Sequence, residues 1–268
     1  MARHCFGWSF IIFAATFSLL LAAESPRAAG QEFRIETEIF VGEEPKSVSH
    51  TVTVFEKAAV YEFIDNPQQI IVYRQGQEGK SGQFILLDTV RERRTDVDVD
   101  RVEKLMHKMT EWASEHKDPL LRFAAKPTFE ETFDVESGSL TLANKEWTYR
   151  AATMKADDAA KLTRYREFTD RYAELTAMMF NSPPPGPRLA LDAAFAKHGV
   201  VPVEIKRTLG GDEKNIVKAT HTFFWNLARE DRQRLDEAQA HLANFKKVDN
   251  EQFIAAKTGK DVVRGQSK

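Results

Sequence analysis

Strict alternation of apolar and polar residues near the start of the chain is the feature that most limits its fold. Phe33, Ile35 and Ile39 alternate with charged residues, which is the period of a half-buried strand. Similar short stretches follow at 48–54, 59–64, 69–74 and 83–90. Parallel strands need crossover connections of about a dozen residues or more, and these connections are shorter. The pattern therefore predicts an antiparallel meander rather than a βαβ sheet.

Helices and further strands are predicted after this meander. A first helix begins at Asp100, with Glu103 completing a capping box, and ends at 118–119. The later predicted strands lie at 129–135, 140–142, 147–151, "VPVEIKRTL" and "NIVKATHTFFW", and the later helices at 156–181, 189–198 and 229–248. The fold class is therefore α+β: about ten strands in a curved antiparallel sheet, with inserted helices packed on its concave face.

A proline-rich stretch, "SPPPGPR" at 182–188, raises the question of a second domain. Such a sequence favours polyproline II and can act as a stiff spacer. Two strands follow it, and two strands alone make a marginal unit. We therefore expect them to complete the earlier sheet, which gives one domain over 31–256 and a flexible tail over 257–268.

The N-terminus predicts export. An uncharged apolar stretch, Cys5–Ala23, follows Arg3 and His4 and precedes helix-breaking residues at 24–26. Small residues before Gln31 favour cleavage there, so we interpret 1–30 as a cleaved signal peptide. The stretch is close to the ~20 residues of a membrane span, so a retained anchor is the alternative. We expect a periplasmic or extracellular location, with no stable membrane span after cleavage.

Cleavage also removes the single cysteine, Cys5. The mature chain is then expected to have no disulfide, no zinc–thiolate site and no cysteine nucleophile. The loss of two arginines and one glutamate takes the formal charge from −2 to about −3. A near-neutral chain with both signs interspersed argues against a nucleic-acid partner.

Each catalytic or metal-binding motif in the sequence lacks a required residue. Residues 79–81 match the end of a phosphate-binding P-loop, but Arg74 stands where its first glycine belongs. The alternating aspartates of 96–100 open an EF-hand spacing, but Arg101 replaces the loop glycine, and a capped strand end is the favoured interpretation. His221 is interpreted as a packed or rim histidine. We predict no catalytic residue, metal or cofactor, although a carboxylate pair assembled from distant residues stays open.

Aromatic residues are the remaining functional indication. They form either a plain aromatic core or the lining of an apolar concavity that helices close until a hydrophobic ligand displaces them. In the second case, Met178–Phe180 would suit an adaptable lid. The candidates for the cavity or its lid are Trp112, Phe129, Phe133, Trp147, Tyr149, Tyr165, Phe168, Tyr172, Met179 and Phe224.

The segment "FILLDTVRERRTDV", which precedes the first helix, is similar to part of the periplasmic lipoprotein-carrier superfamily. The similar residues are Leu86, Leu87, Asp88, Arg91 and Thr95, and the order of elements is similar over 33–227. The resemblance implies an incomplete β-barrel that holds acyl chains under a helical lid, with no cofactor and no chemistry. The carriers' lid-locking arginine has no single counterpart here, and 156–200 is more helical than in a plain carrier.

Three functional hypotheses follow. The leading hypothesis is an exported, non-enzymatic protein that binds a lipid or the acyl chain of a lipoprotein in a half-barrel cavity, with reversible exchange between ligand and lid. The alternative is an interaction or structural module of the cell envelope with a filled core. The third is a hydrolase whose catalytic residues come from distant parts of the chain.

Overall fold

A computed structural model describes residues 32–77, 80–156, 158–211 and 216–257. The predicted signal peptide, 1–30, lies outside the described residues. The predicted tail also lies outside them, apart from Lys257, which ends the last helix.

Within these ranges the chain forms twelve strands and six helices. The strands are β1 (Phe33–Val41), β2 (Ser49–Glu56), β3 (Ala59–Ile64), β4 (Gln69–Arg74), β5 (Gln83–Asp88), β6 (Arg93–Asp98), β7 (Glu130–Asp134), β8 (Ser139–Ala143), β9 (Trp147–Lys155), β10 (Val200–Leu209), β11 (Ile216–Phe224) and β12 (Lys246–Lys247). The helices are α1 (Val99–Ser114), α2 (Pro119–Ala125), α3 (Ala159–Phe180), α4 (Gly186–His198), α5 (Arg229–Asn244) and α6 (Asn250–Lys257).

All twelve strands belong to one open sheet, which does not close into a barrel. Its order is β12-β6-β5-β4-β3-β2-β1-β11-β10-β9-β8-β7. Neighbours are antiparallel except β12, which runs parallel to β6. The predicted α+β class with a curved, antiparallel-dominated sheet is confirmed. The strands after the proline-rich stretch, β10 and β11, lie between β9 and β1 and so complete the earlier sheet.

Two strands exceed the predicted number of about ten. The first is β6, where the sequence favours only a strand end followed by a cap. Thr95 and Val97 point into the protein with 2% and 3% exposure, while Asp98 is exposed, so Asp96 and Asp98 form the outer face of a full strand. The second is β12, which is two residues long and gives no sequence pattern.

Several helix ends differ from the prediction. Asp98, not Asp100, occupies the N-cap of α1, and Asp100 lies in the first turn, where its charge suits the helix dipole. Asp118 begins α2 instead of only stopping the helix before it, because its carboxylate accepts a hydrogen bond from the Leu120 backbone at 2.8 Å. The last predicted helix, 229–248, ends at Asn244 because Lys246 turns into β12.

Helices cover both faces of the sheet, which corrects the prediction that they all pack on one. On one face, α1 and α3 enclose a large aromatic cluster that includes Phe33, Phe55 and Phe84. On the opposite face, α5 packs Leu235 and Leu242 onto the central strands. Burial of each such leucine contributes about 1.5–3 kcal/mol. The middle of the sheet is therefore buried on both sides.

A third apolar cluster fixes α2 and α4 against β8–β10. It contains Phe123 of α2, Leu191 and Phe195 of α4, and Tyr149 of β9. α4 thereby holds the end of the proline-rich stretch close to the sheet, next to the C-terminus of α3.

The close approach of α4 to α2 depends on Gly186, and we expect Gly186→Ala to destabilise the fold by about 1–3 kcal/mol. A Cβ at this position would lie 2.3 Å from the Ala124 backbone oxygen and 3.0 Å from Pro127 Cδ. The first of these contacts is with backbone, which cannot rotate away. Urea denaturation measures the effect, and an unchanged midpoint would show that the two helices can separate freely.

Candidate functional site

A cavity of about 690 Å³ lies between α3 and the face of the sheet formed by β11, β1, β2 and β3; we call it the α3 cavity. A second space of about 590 Å³, the adjoining cavity, lies between α3 and the sheet towards β9 and β10. The two share the lining residues Ile39, Thr169, Tyr172, Phe180, Arg188 and Ala219. Together they run along most of the buried face of α3.

α3 forms and docks through its aromatic stripe. Asp158 caps the helix by accepting a hydrogen bond from the Lys161 backbone at 2.7 Å, and Asn181 ends it in the left-handed conformation with φ 49°. Phe168 meets the Phe55 ring edge-on at 5.7 Å between centroids. Tyr165 meets Phe223 in the same way, also at 5.7 Å. Both contacts lie in the N-terminal half of α3, where they hold the helix on the sheet and form part of the cavity lining.

The sheet face under the α3 cavity carries both apolar and polar side chains. Ile35, Ile39, Ile64, Phe55 and Phe168 are among the apolar lining residues. The polar residues, which we call the floor, lie on β11, β1, β2 and β3. The floor consists of Thr37, Ser49, Thr51, Thr53, Glu62 and His221, with Thr37 opposite both Thr51 and His221, and Thr53 opposite Glu62.

Glu62 is the buried acid of this floor. The residue is 6% exposed, and burial raises the pKa of its carboxyl to about 8, although a hydrogen bond from Tyr172 opposes the rise. Its Oε2 finds no hydrogen-bond partner among the described residues. At neutral pH Glu62 is therefore mostly protonated and presents an uncharged polar group to the cavity.

Arg188 of α4 is the cation shared by both cavities. Its Nε donates to both carboxylate oxygens of Asp192, at 3.1 and 2.9 Å. Burial disfavours the charge, but Asp192 outweighs this effect and raises the pKa of Arg188. The Asp192 side chain is fully buried, whereas that of Arg188 is 31% exposed. The positive member of the pair is therefore the one that faces the cavities.

His221 and Tyr165 complete the polar groups near Arg188. His221 Nδ1 lies 2.9 Å from the Thr37 hydroxyl, and its Nε2 finds no partner among the described residues. Burial and the positive charge of Arg188 lower the pKa of His221 to about 3, so the imidazole is neutral. The buried Tyr165 hydroxyl lies beside Arg188 but has no hydrogen bond of normal geometry within the described chain, and burial raises its pKa.

The structure brings together some of the predicted cavity residues. Tyr165, Phe168 and Tyr172 line the α3 cavity, and Tyr172 also lines the adjoining cavity. Trp147 and Tyr149 line the adjoining cavity.

The other candidates lie elsewhere. Trp112 is 58% exposed on α1, next to His116. Phe224 lies under Arg34, which pairs with α5 through Asp231 and so belongs to the opposite face.

Three further candidates border other parts of the structure. Phe129 and Phe133 pack in the third apolar cluster, with Phe133 stacked on His198. Met179 lines a separate space of about 660 Å³ next to α1 and α6.

Sequence reasoning did not identify Glu62, Arg188 or the threonine band as site residues. On β2 the alternation places Val52 and Val54 on one face, and these residues pack in the cluster that contains α5. Thr51 and Thr53 are nevertheless also buried, at 7% and 6%, because α3 covers their side of the strand. The sequence signal that could have indicated this burial is the combination of hydroxyl residues at alternate positions of a strand with a long aromatic helix elsewhere in the chain.

None of the described helices is long and apolar enough to cross a membrane. Across the described ranges, no three His, Cys, Asp or Glu side chains lie close enough together to hold a metal ion. Comparison with known protein families and with curated proteins finds no match for this chain.

Proposed function

We propose that the protein is exported and binds a hydrophobic ligand, a lipid or the acyl chain of a lipoprotein, in the α3 cavity. The observation that carries the proposal is a cavity of about 690 Å³ against a cluster of aromatic and aliphatic side chains. Ligand cavities in proteins typically measure about 300–1,000 Å³ and combine apolar walls with a few polar groups. A module with a completely filled core would lack this space.

The cavity meets the surface at the C-terminal end of α3 and also at the turn after β3, where the exposed Asn66 and Pro67 line it. Phe180 lines both cavities and is 69% exposed, so it borders both the interior and the surface. Pro183–Pro185 line the adjoining cavity at the same end. A ligand chain would enter beside Phe180, occupy the space under α3, and leave by the same route without a chemical step.

The hydrolase hypothesis finds less support in the same geometry. Thr37 and His221 are placed as a hydroxyl and a base, but a base must accept a proton near neutral pH, and the lowered pKa of His221 prevents this. No carboxylate orients His221 Nε2 within the described residues. Glu62 lies three strands away on β3, about 14 Å from β11 at normal strand spacing.

A cavity-filling substitution tests the proposal. Ala219 lines both cavities, so we expect Ala219→Trp to weaken binding of dodecanol or dodecanoate at least tenfold because the indole takes the space of the chain. Native mass spectrometry of the purified protein with each probe measures the bound fraction.

Ala152→Trp is the matched control, because Ala152 is exposed on β9 and should leave binding unchanged. Circular dichroism shows whether both variants stay folded. If neither probe binds the wild-type protein, or if a folded Ala219→Trp variant binds as well as wild type, the proposed function is wrong.

A further inference from the structure

The geometry points to a head-group site inside the α3 cavity: we propose that Arg188, Tyr165 and His221 bind the oxyanion of a single-chain anionic amphiphile. The inference rests on the proposed function and adds the charge and chemical class of the ligand. A plain hydrocarbon would leave these groups unpaired, whereas a carboxylate or phosphate head would satisfy them.

The first argument is the asymmetric exposure of the buried ion pair. Asp192 is sealed from solvent, while Arg188 lines both cavities. Asp192 engages the Nε of Arg188, and a guanidinium carries further N–H donors on its two terminal nitrogens. Arginine presents these donors in a planar fork that matches the oxygens of a carboxylate or phosphate.

The second argument is that two unsatisfied polar atoms border the same place. The Tyr165 hydroxyl and His221 Nε2 are buried, line the cavity and have no hydrogen-bond partner among the described residues. Both groups lie close enough to Arg188 to be influenced by its charge. With the Thr37 hydroxyl donating to Nδ1, the neutral imidazole carries its proton on Nε2. A buried donor without a partner is unfavourable, so a ligand oxygen that accepts from both groups is favoured.

The local charge also favours an anion over a cation. Asp170 of α3 is the other acid near this group; Arg166 lies 3.4 Å from it, and burial together with Asp192 raises its pKa to about 6. It is absent from the cavity lining, whereas Arg188 is part of it. Glu62, at the far end of the floor, is mostly uncharged at neutral pH and does not repel an anion.

The floor sets the length of the ligand that fits. His221 on β11 and Glu62 on β3 are separated by three strand spacings, about 14 Å across the strands, and by two residues along them. An extended alkyl chain of medium length matches this distance, with its head at Arg188 and its tail along Ile35, Phe55 and Ile64.

Calorimetric titration with four twelve-carbon probes tests the head-group site. We expect dodecanoate or dodecyl phosphate to bind at least tenfold more tightly than dodecanol, and dodecyltrimethylammonium to bind most weakly. The tighter of the two anions identifies the head, and either one supports the site. Equal binding of dodecanol and both anions, or a preference for the cation, would overturn the inference while the proposed function stands. If none of the four probes binds, both the head-group site and the proposed function are wrong.

Two variants separate the head-group site from the fold. Tyr165→Phe removes a hydroxyl without a protein partner, so we expect normal stability, about fivefold weaker dodecanoate binding and unchanged dodecanol binding. Tyr61→Phe is the matched control, because Tyr61 packs on the opposite face near α5. The double variant Arg188→Met/Asp192→Leu is measured in the same way. If both it and Tyr165→Phe still prefer dodecanoate over dodecanol as strongly as wild type does, the head group binds elsewhere.

Discussion

Asp192→Ala should lower the free energy of unfolding by about 3–5 kcal/mol, the largest effect we expect from a single polar substitution. Asp192 is fully buried and accepts both hydrogen bonds from Arg188 Nε. Its removal leaves the partly buried guanidinium of Arg188 without its counter-charge. Asp170 is a poor replacement because Arg166 already lies 3.4 Å from it.

The double variant Arg188→Met/Asp192→Leu distinguishes a lost charge partner from lost packing. Replacement of a buried ion pair by apolar residues of similar volume is often neutral or stabilising, so we expect most of the stability to return. Asp236→Ala on the exposed side of α5 is the control and should change stability by less than about 0.5 kcal/mol. Urea denaturation of the wild type and the three variants measures these differences in stability. A double variant as unstable as Asp192→Ala would contradict the explanation.

The same ion pair shows where sequence reasoning ends. Arg188 is the last residue of the proline-rich stretch and Asp192 lies four residues later, a spacing that is common on exposed helix surfaces. Their burial follows from the packing of α4 against β10, which places this turn beside α3. That packing is set by residues distant in sequence, and no local pattern reports it.

Regular elements with a clear period were predictable. The alternation of β1 and the aromatic stripe of α3 each show one periodicity over many residues, and both elements form close to the predicted bounds. β12 could not be predicted, because two lysines have no intrinsic strand pattern. It forms because the chain after α5 lies against the edge strand β6, where the Lys246 backbone N–H donates to the Glu92 carbonyl.

The candidate site was predictable only in its apolar part. An aromatic stripe indicates which helix face is covered, and Tyr165, Phe168 and Tyr172 do line the α3 cavity. A threonine or a glutamate on a strand is ordinarily interpreted as facing solvent, since such residues are mostly exposed. Glu62 is buried because strands on both sides pair with β3 and α3 lies over it, and this arrangement is tertiary.

Glu62→Gln should stabilise the protein by about 3 kcal/mol at pH 7 and have little effect at pH 4. Burial raises the pKa of Glu62 from 4.5 to about 8, so the folded protein holds a proton that the unfolded chain releases above pH 4.5. Folding therefore takes up a proton, and stability falls by about 1.4 kcal/mol per pH unit from pH 4.5 up to pH 8. Above pH 8 both states are ionised and the loss is complete. Glutamine has nearly the same shape and cannot ionise, which removes this contribution.

Urea denaturation of wild type and Glu62→Gln between pH 4 and pH 9 measures the two slopes, and their difference isolates Glu62 from other titrating groups. Glu38→Gln, on an exposed position of β1, is the control and should leave the profile unchanged. A wild-type profile that matches Glu62→Gln would show that water in the α3 cavity solvates the carboxylate at neutral pH. The floor of the cavity would then carry a negative charge opposite Arg188, and an anionic ligand would be held only with its head far from β3.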